Sequence, residues 1–408
     1  MKRSRYLTAK EAADLLGISA TTLYAYVSRG LIRSEATTDD SRVRRYNAED
    51  VQKLKARKDQ RKNPAKAVQE SLHWGAPILE SGLTLITDEA LYYRGQEARE
   101  LALHRSVEEV AALLWTGELE QADRLFGTAA PIAEAVALLR VIEGTPGSLS
   151  LMQRVQMALT LAGERDLAAF DLNADKVALT GARILRLMAT VTAGRASTSS
   201  QIVDVLCDGW RINDPAARQL ISAALILCAD HELNVSSFTA RVVASARTQP
   251  YLVVLAGLAA LQGLQHGGST ERAESLLRDC KNPQHADQLV VERLRRGERI
   301  AGFGHQLYPD GDPRAAVLLN LIAELAESSE LWSIASTIIA RLQESVDQKP
   351  NIDFALGVLV NALNLPYGSA LALFAVGRTI GWIGHAIEQY EQGQMIRPRA
   401  KYTGVIVE

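Results

Sequence analysis

Two histidines beside glycines, an aspartate just past a Lys-Pro break, and three arginines are the side chains of this 408-residue sequence best placed to do chemistry. They fall in five short segments: ADHELNVSS, QHGGS, GFGHQLYPDGDPR, PNIDF and FAVGRTIGWIGHAIEQYEQGQMIRPRAKYTG. Glycine next to His266 and His305 lets a ligand or a backbone come close. Asp353 follows Lys349-Pro350, where a helix can begin. A histidine pair, one carboxylate and several arginines suit carbon-acid chemistry on a polyanionic substrate. A carboxylate can take a proton from a carbon next to a carbonyl, one imidazole can hydrogen-bond the enolate oxygen, and a second can polarise the carbonyl of the electrophile. Planar guanidinium forks grip carboxylates in two places, so Arg314, Arg378 and Arg397 point to a substrate with more than one carboxylate. No metal is expected. Cys207, Cys228 and Cys280 show no paired short spacing, which argues against a zinc site or a disulfide framework and for a reducing, cytoplasmic setting.

Such a constellation needs a large core to hold it, and 408 residues predict two or three domains. With 47% hydrophobic, 23% charged and only 5% aromatic residues, the composition fits a soluble, mainly helical protein. From about Trp74 onward, helical patterns such as Glu108 to Leu114, Ala133 to Ile142 and Arg154 to Ala162 recur between short Gly or Pro breaks, and strand signals are rare. There is no fixed repeat and no low-complexity tract. Trp382 and His385 lie four and seven residues after Arg378, hence on one helix face, and His385 reads as a packing residue. His73, His104 and His285 fall in none of the five segments and read as surface or packing residues. Residues 1 to 30 hold no signal-peptide-like run. Apolar stretches such as Tyr251 to Leu261 are shorter than the ~20 residues that span a bilayer, so no membrane partner is expected.

A net charge of −2 conceals an asymmetry: residues 1 to 66 carry 16 Lys/Arg against 8 Asp/Glu, the remainder 29 against 39. The basic start therefore suits a partner of its own, with nucleic acid as the usual polyanion. Within it, Thr8 sits three residues before Glu11 in capping-box spacing, and Ser19 can cap a second helix with apolar Leu23, Tyr26 and Val27. Gly17-Ile18-Ser19 separates the two, Gly30-Leu31-Ile32 closes the second, and Arg42 to Tyr46 reads as a wing strand leading to a third helix, Ala48 to Lys58. The motifs LTAKEAADLLGIS, TTLYAY, GLI and RRYNAEDV resemble the MerR or excisionase type of winged helix-turn-helix. That resemblance implies that Thr21, Thr22, Tyr24 and Arg29 can reach DNA bases or phosphates, and that Arg42, Arg44 and Arg45 can touch its backbone. A protein-docking or structural role is the alternative. Residues 59 to 72 read as a polar linker.

The five chemical segments occur in the order of the signature segments of the citrate synthase family. Together with SGLTLITDEALYYRGQEARELALHRSVEEVAALLWTGEL, the resemblance runs from about residue 78 to 404. It implies an all-α fold with a large domain, 73–267 and 366–408, and a small domain, 268–365, that closes over the substrates and excludes water. It also implies roles. Asp353 would take a methyl proton from acetyl-CoA, the co-substrate, with no permanently bound cofactor. His266 would stabilise the enol or enolate, with Gly267 and Gly268 giving the thioester room, while Gly302 and Gly304 would lie on the coenzyme side. His305 would hydrogen-bond the ketone oxygen of oxaloacetate. Arg314, Arg378, Arg397 and His231 would hold its carboxylates. In relatives the arginine matching Arg397 reaches into the other subunit's site, which implies a homodimer.

The departures from the family pattern gather on the coenzyme side. Gln306, Leu307 and Pro309 stand where bacterial relatives commonly read GHRVYK, and Ser269 and Thr270 where they read HGGAN. Beside a citrate synthase, two readings stay open. One is a 2-methylcitrate synthase using propionyl-CoA, since one methylene is worth only about 1–3 kcal/mol. The other is a DNA-binding metabolite sensor built on a synthase body. Intact Asp353 argues against the sensor, which has no need of a base.

Overall fold

The computed structural model describes residues 6–29, 31–37, 40–48, 50–51, 54–55, 79–87, 89–127, 132–400 and 402–405. They fall into two compact units, Met1–Glu80 and Ser81–Glu408.

In the first unit the local signals work as the spacing predicts. The Thr8 hydroxyl accepts the Glu11 amide while the Glu11 carboxylate accepts the Thr8 amide, closing a capping box on helix Ala9–Leu16. Gly17, at φ 57°, stops that helix in the left-handed conformation that glycine reaches most easily. Ser19 then caps Ala20–Ser28 through the Thr22 amide. The strands Tyr6–Leu7, Ser34–Thr37 and Asp40–Asn47 form an antiparallel sheet with Asp40–Asn47 in the middle. Ala12, Ala13, Leu16, Leu23, Ile32, Tyr46 and Val51 make the core. Arg33 grips both oxygens of Asp50 at 2.9 Å. The result is a helix-turn-helix with a β wing. Of the expected third helix, residues 48, 50, 51, 54 and 55 are helical and the rest lies outside the described residues, as do the linker 59–72 and His73.

The second unit opens on a small antiparallel meander, Thr84–Ile86, Leu91–Tyr93 and Gln96–Glu97, and is otherwise helical. Several helices start with the same grammar: a polar N-cap followed by proline, whose missing N–H needs no partner there. Asp214-Pro215, Gln249-Pro250, Asn282-Pro283 and Asp312-Pro313 begin Pro215–Leu227, Pro250–Leu261, Pro283–Arg295 and Pro313–Ala326. The core is organised around Ser369–Gln392, which packs against Val107–Thr116, Ala174–Ala193, Pro215–Leu227, Val235–Ser245 and Pro250–Leu261. By length and composition this helix is apolar enough to cross a membrane, yet its apolar window is entirely buried in the protein. The apolar-run reading passes over it because Arg378, His385 and Glu388 interrupt the run. Gly377 lets it approach Leu225 O, which a Cβ would meet at 2.5 Å. On one side, Gly268–Asp279 packs on Ile352–Ala362, which also contacts Pro313–Ala326 and Glu330–Val346.

Candidate active site

Most of the proposed chemical groups stand at an element end or in a turn. His266 occupies the turn between Pro250–Leu261 and Gly268–Asp279, closed by bonds from the amides of His266 to Gly263 O and of Gly267 to Leu261 O. His305 follows a backbone ladder: the Asn351 amide donates to Gly302 O, the Gly304 amide to Lys349 O, and Asn351 Nδ2 to Gly304 O. That ladder stitches the His305 loop to the start of Ile352–Ala362. There Asn351 caps the helix by accepting the Asp353 amide at 3.0 Å, which fixes Asp353 in the first turn. Arg314 sits in the first turn of Pro313–Ala326 beside its N-cap, Asp312. Arg378 lies within Ser369–Gln392. His231 follows Pro215–Leu227 and precedes Glu232, whose φ of 50° turns the chain sharply.

The structure brings most of these groups together. The His231 and His305 rings lie 5.3 Å apart, with Tyr308 5.6 and 4.8 Å from them, and His231 Nε2 is 3.0 Å from Tyr308 Oη. The Arg314 guanidinium is 5.9 Å from the Tyr308 ring and that of Arg378 is 4.8 Å from the Phe374 ring, which His266 approaches edge-on at 6.0 Å. The Asp353 carboxylate accepts the Thr270 hydroxyl at 2.6 Å, four residues after His266. Arg397 does not join them. It is exposed in the segment after Gly393, with no hydrogen bond or ion pair among the described residues.

Four partners escaped the sequence reading. Ser236 Oγ lies 2.9 Å from His266 Nε2, donates to Asn234 Oδ1 at 2.8 Å, and accepts Trp382 Nε1–H at 3.3 Å. Tyr308 and Asp312 lie in the segment GFGHQLYPDGDPR, but nothing in their spacing shows that they face His231 and Arg314. Thr270 was read only as a departure, whereas it hydrogen-bonds Asp353. The glycines have internal reasons to be glycine. A Cβ on Gly267 would meet Leu261 O and Leu371 Cδ1 at 2.6 Å, one on Gly268 would meet Gly263 O at 3.1 Å, and one on Gly302, at φ 87°, would meet Phe354 Cβ at 2.7 Å. The room at Gly267 and Gly302 is thus taken by the protein's own atoms. Gly304 is left-handed, at φ 76°, and a Cβ there would meet only the Gln348 side chain, at 3.9 Å. Of the histidines set aside, His104 is exposed and pairs with Glu100, and His285 Nδ1 accepts the Lys281 amide.

Burial and the two arginines depress the imidazoles. Burial first, then Arg378 and Arg314, brings His266 to about 4, and burial and Arg314 bring His305 to about 4. His231 is pushed well below its ordinary value by burial and the same arginines. All three are neutral at pH 7 and able to donate one hydrogen bond each. Burial raises the Asp353 carboxyl against the Thr270 hydroxyl and Arg314, which lower it, making its carboxylate a stronger base. The arrangement offers one partly buried base, three neutral imidazoles and two buried cations. That is what proton removal from carbon followed by attack on a carboxylate-bearing carbonyl requires.

The citrate synthase C-terminal domain family matches residues 72–399 of the chain. The chain belongs to the citrate synthase family. It is an enzyme of the citrate synthase type, with a helix-turn-helix domain matched over residues 6–59. At 30% identity it resembles 2-methylcitrate synthase 1 of Corynebacterium glutamicum, over 78% of this chain and 90% of that protein, and citrate synthase 2 of Bacillus subtilis, over 81% and 94%. The fold matches crystalline citrate synthase from Thermotoga maritima with a TM-score of 0.69 at 26% identity, covering 82% of this chain and 95% of that one. It also matches the citrate synthase of Thermoplasma acidophilum in a ternary complex with carboxymethyl coenzyme A and oxaloacetate, with a TM-score of 0.72 at 24% identity over 83% and 97%. The all-α expectation for the body therefore holds, as does the helix-turn-helix resemblance.

Proposed function

We propose that this enzyme condenses acetyl-CoA with oxaloacetate to give citrate and free coenzyme A. The observation that carries the proposal is Asp353: a partly buried carboxylate in a helix first turn, bonded by Thr270 and raised above the ordinary aspartate value. Asp353 removes a methyl proton of acetyl-CoA, and His266 donates a hydrogen bond to the developing enolate oxygen. Ser236 sets that donor. The proposed donor is the tautomer with its proton on Nδ1, reached when the Ser236 hydroxyl, which donates to Asn234 Oδ1 at 2.8 Å, turns to His266 Nε2 at 2.9 Å. The enol carbon attacks the ketone carbon of oxaloacetate while His305 hydrogen-bonds its oxygen. Arg314, Arg378 and His231 hold the carboxylates, and water then hydrolyses the citryl thioester. Arg397, standing free of the cluster in its own chain, serves the site of a second copy, so the working unit is a cytoplasmic homodimer. Gly304 and the loop after it lie on the coenzyme side.

The 30% identity to a 2-methylcitrate synthase supports a second reading, in which propionyl-CoA is the thioester. Thiol release with oxaloacetate and either thioester tests both on the wild type and Asp353→Ala. The ratio of the two kcat/KM values assigns the substrate, and absence of turnover with both sinks the proposal. For the first unit we propose contact with DNA. Thr21, Tyr24 (54% exposed) and Arg29 are exposed along the second helix, with Thr22 partly exposed beside them, and Arg44 and Arg45 are exposed on the strand that also holds Arg42. Duplex binding measured against salt tests it: a slope that flattens in Arg44→Ala/Arg45→Ala supports the contact, and no binding at 50 mM salt excludes it.

A further inference from the structure

We infer that Asp230 and His385 are positioning residues for the oxaloacetate side of the site, an inference that rests on the functional reading above. Three consecutive residues, Cys228, Ala229 and Asp230, are held by one face of the Ser369–Gln392 helix, at positions 378, 381 and 385. Cys228 O accepts Arg378 Nε–H at 2.7 Å, Ala229 O accepts the Gly381 amide at 2.9 Å, and Asp230 Oδ1 lies 3.2 Å from His385 Nε2. The spacing of three and four residues puts all three holders on one stripe. Gly381 makes the approach possible: a Cβ there would stand 2.4 Å from Asp230 Oδ1 and 2.5 Å from Ala229 O. The other Asp230 oxygen accepts the Thr84 hydroxyl at 2.6 Å.

The next residue is His231, which faces His305 and Tyr308. The chain therefore anchors residue 230 in the body and delivers residue 231 to the site. Behind His385 the fixing continues. Its Nδ1 is 3.9 Å from Glu388 Oε2, which Arg241 Nη1 reaches at 3.1 Å, while Glu388 Oε1 accepts the Gly82 amide. Asp230, His385 and Arg241 are each 0% exposed. Packing alone does not account for them, because two apolar side chains of the same volume would fill the space without burying a charge. An orienting role does. Asp230 is the countercharge closest in effect to Arg378, whose Nη2 is buried without a protein partner. The Asp230 carboxylate thus offsets the Arg378 charge within the body, while Arg378 Nη2 stays available for a substrate carboxylate.

The test compares full-length wild type with His385→Leu, His385→Gln and Asp230→Asn, reading oxaloacetate Kd by calorimetry, the KM of each substrate, kcat and Tm. His385→Leu is expected to weaken oxaloacetate at least tenfold while the KM for the thioester stays within twofold. His385→Gln, which restores an N–H toward Asp230, should recover part of that loss. Should His385→Leu not fold, Asp230→Asn, which keeps the side-chain shape, carries the same expectation. A folded His385→Leu or Asp230→Asn with wild-type oxaloacetate affinity and a lowered Tm overturns the inference and leaves only packing. Wild type that binds oxaloacetate but releases no thiol defeats the functional reading alone, and the Kd comparison still decides the inference. Wild type that binds no oxaloacetate defeats both.

Discussion

The two buried arginines of the site stand on walls built in different ways. Arg314 belongs to the wall of residues 302–314 and 349–353. Its Nε and Nη2 are both bonded to Asp312, at 3.0 and 2.8 Å, and Asp312 also accepts the amides of Arg314 and Ile352. Arg378 belongs to the wall of residues 228–231 and 378–385. It makes one bond, to a backbone carbonyl, and keeps a buried donor without a protein partner. The first arginine is already paired with a carboxylate and, beside the substrate role proposed for it, ties Pro313–Ala326 through Asp312 to the amide next to Asp353. The second keeps a buried donor open, as the hold on a substrate carboxylate proposed above requires. Equal residue types at equal depth are thus held in unequal ways, and the counter-ion makes the difference.

The largest effect should come from the base that the first wall positions. Asp353→Ala is expected to lower kcat by about 10³-fold or more with little change in oxaloacetate affinity, checked by steady-state thiol release. Next, Asp312→Ala leaves Arg314 buried without its partner, and unfolding in urea should show about 3 kcal/mol less stability. A loss under 1 kcal/mol would mean that the pair organises nothing. The arginines themselves sharpen the contrast. Arg378→Lys removes the planar fork, and should raise the oxaloacetate KM about 30-fold, corresponding to about 2 kcal/mol for a charge-assisted bond, with Arg314→Lys below tenfold. The reverse order would overturn the contrast drawn between their counter-ions. The smallest effect is acid lability. His266 and His305 titrate at about 4 in the folded chain against 6.5 when unfolded. Between those values the unfolded chain holds more protons, so their contribution is complete above pH 6.5 and lost as pH falls toward 4. The raised Asp353 works oppositely on the acid side, where the folded chain keeps its proton longer. Melting temperatures should fall modestly from pH 6.5 to 4.5, and His305→Asn should flatten that slope.

What was legible in the sequence was local. The Thr8–Glu11 box, the Ser19 cap, the wing strand and the helices around residues 107–116, 132–143 and 151–163 each depend on neighbours a few positions apart, and the structure has them. The chemical segments were legible as motifs, because a family resemblance carries order and identity. What the motifs lacked was who faces whom. Ser236 reaches His266 across 30 residues, Thr270 reaches Asp353 across 83, and Asp230 meets His385 across 155, and no periodicity encodes such pairings. His385 read as packing for the same reason: one helix face shows that it points with Arg378, not that a buried carboxylate waits opposite.

The buried Ser369–Gln392 helix has a consequence for biosynthesis. Every surface it covers, from Val107–Thr116 through Pro250–Leu261, precedes it in the chain, so each leaves the ribosome before its cover exists. Closing that core joins segments more than a hundred residues apart, which makes folding slow and leaves apolar faces open meanwhile. A nascent chain halted before residue 369 would be a client for chaperones, however complete its earlier helices.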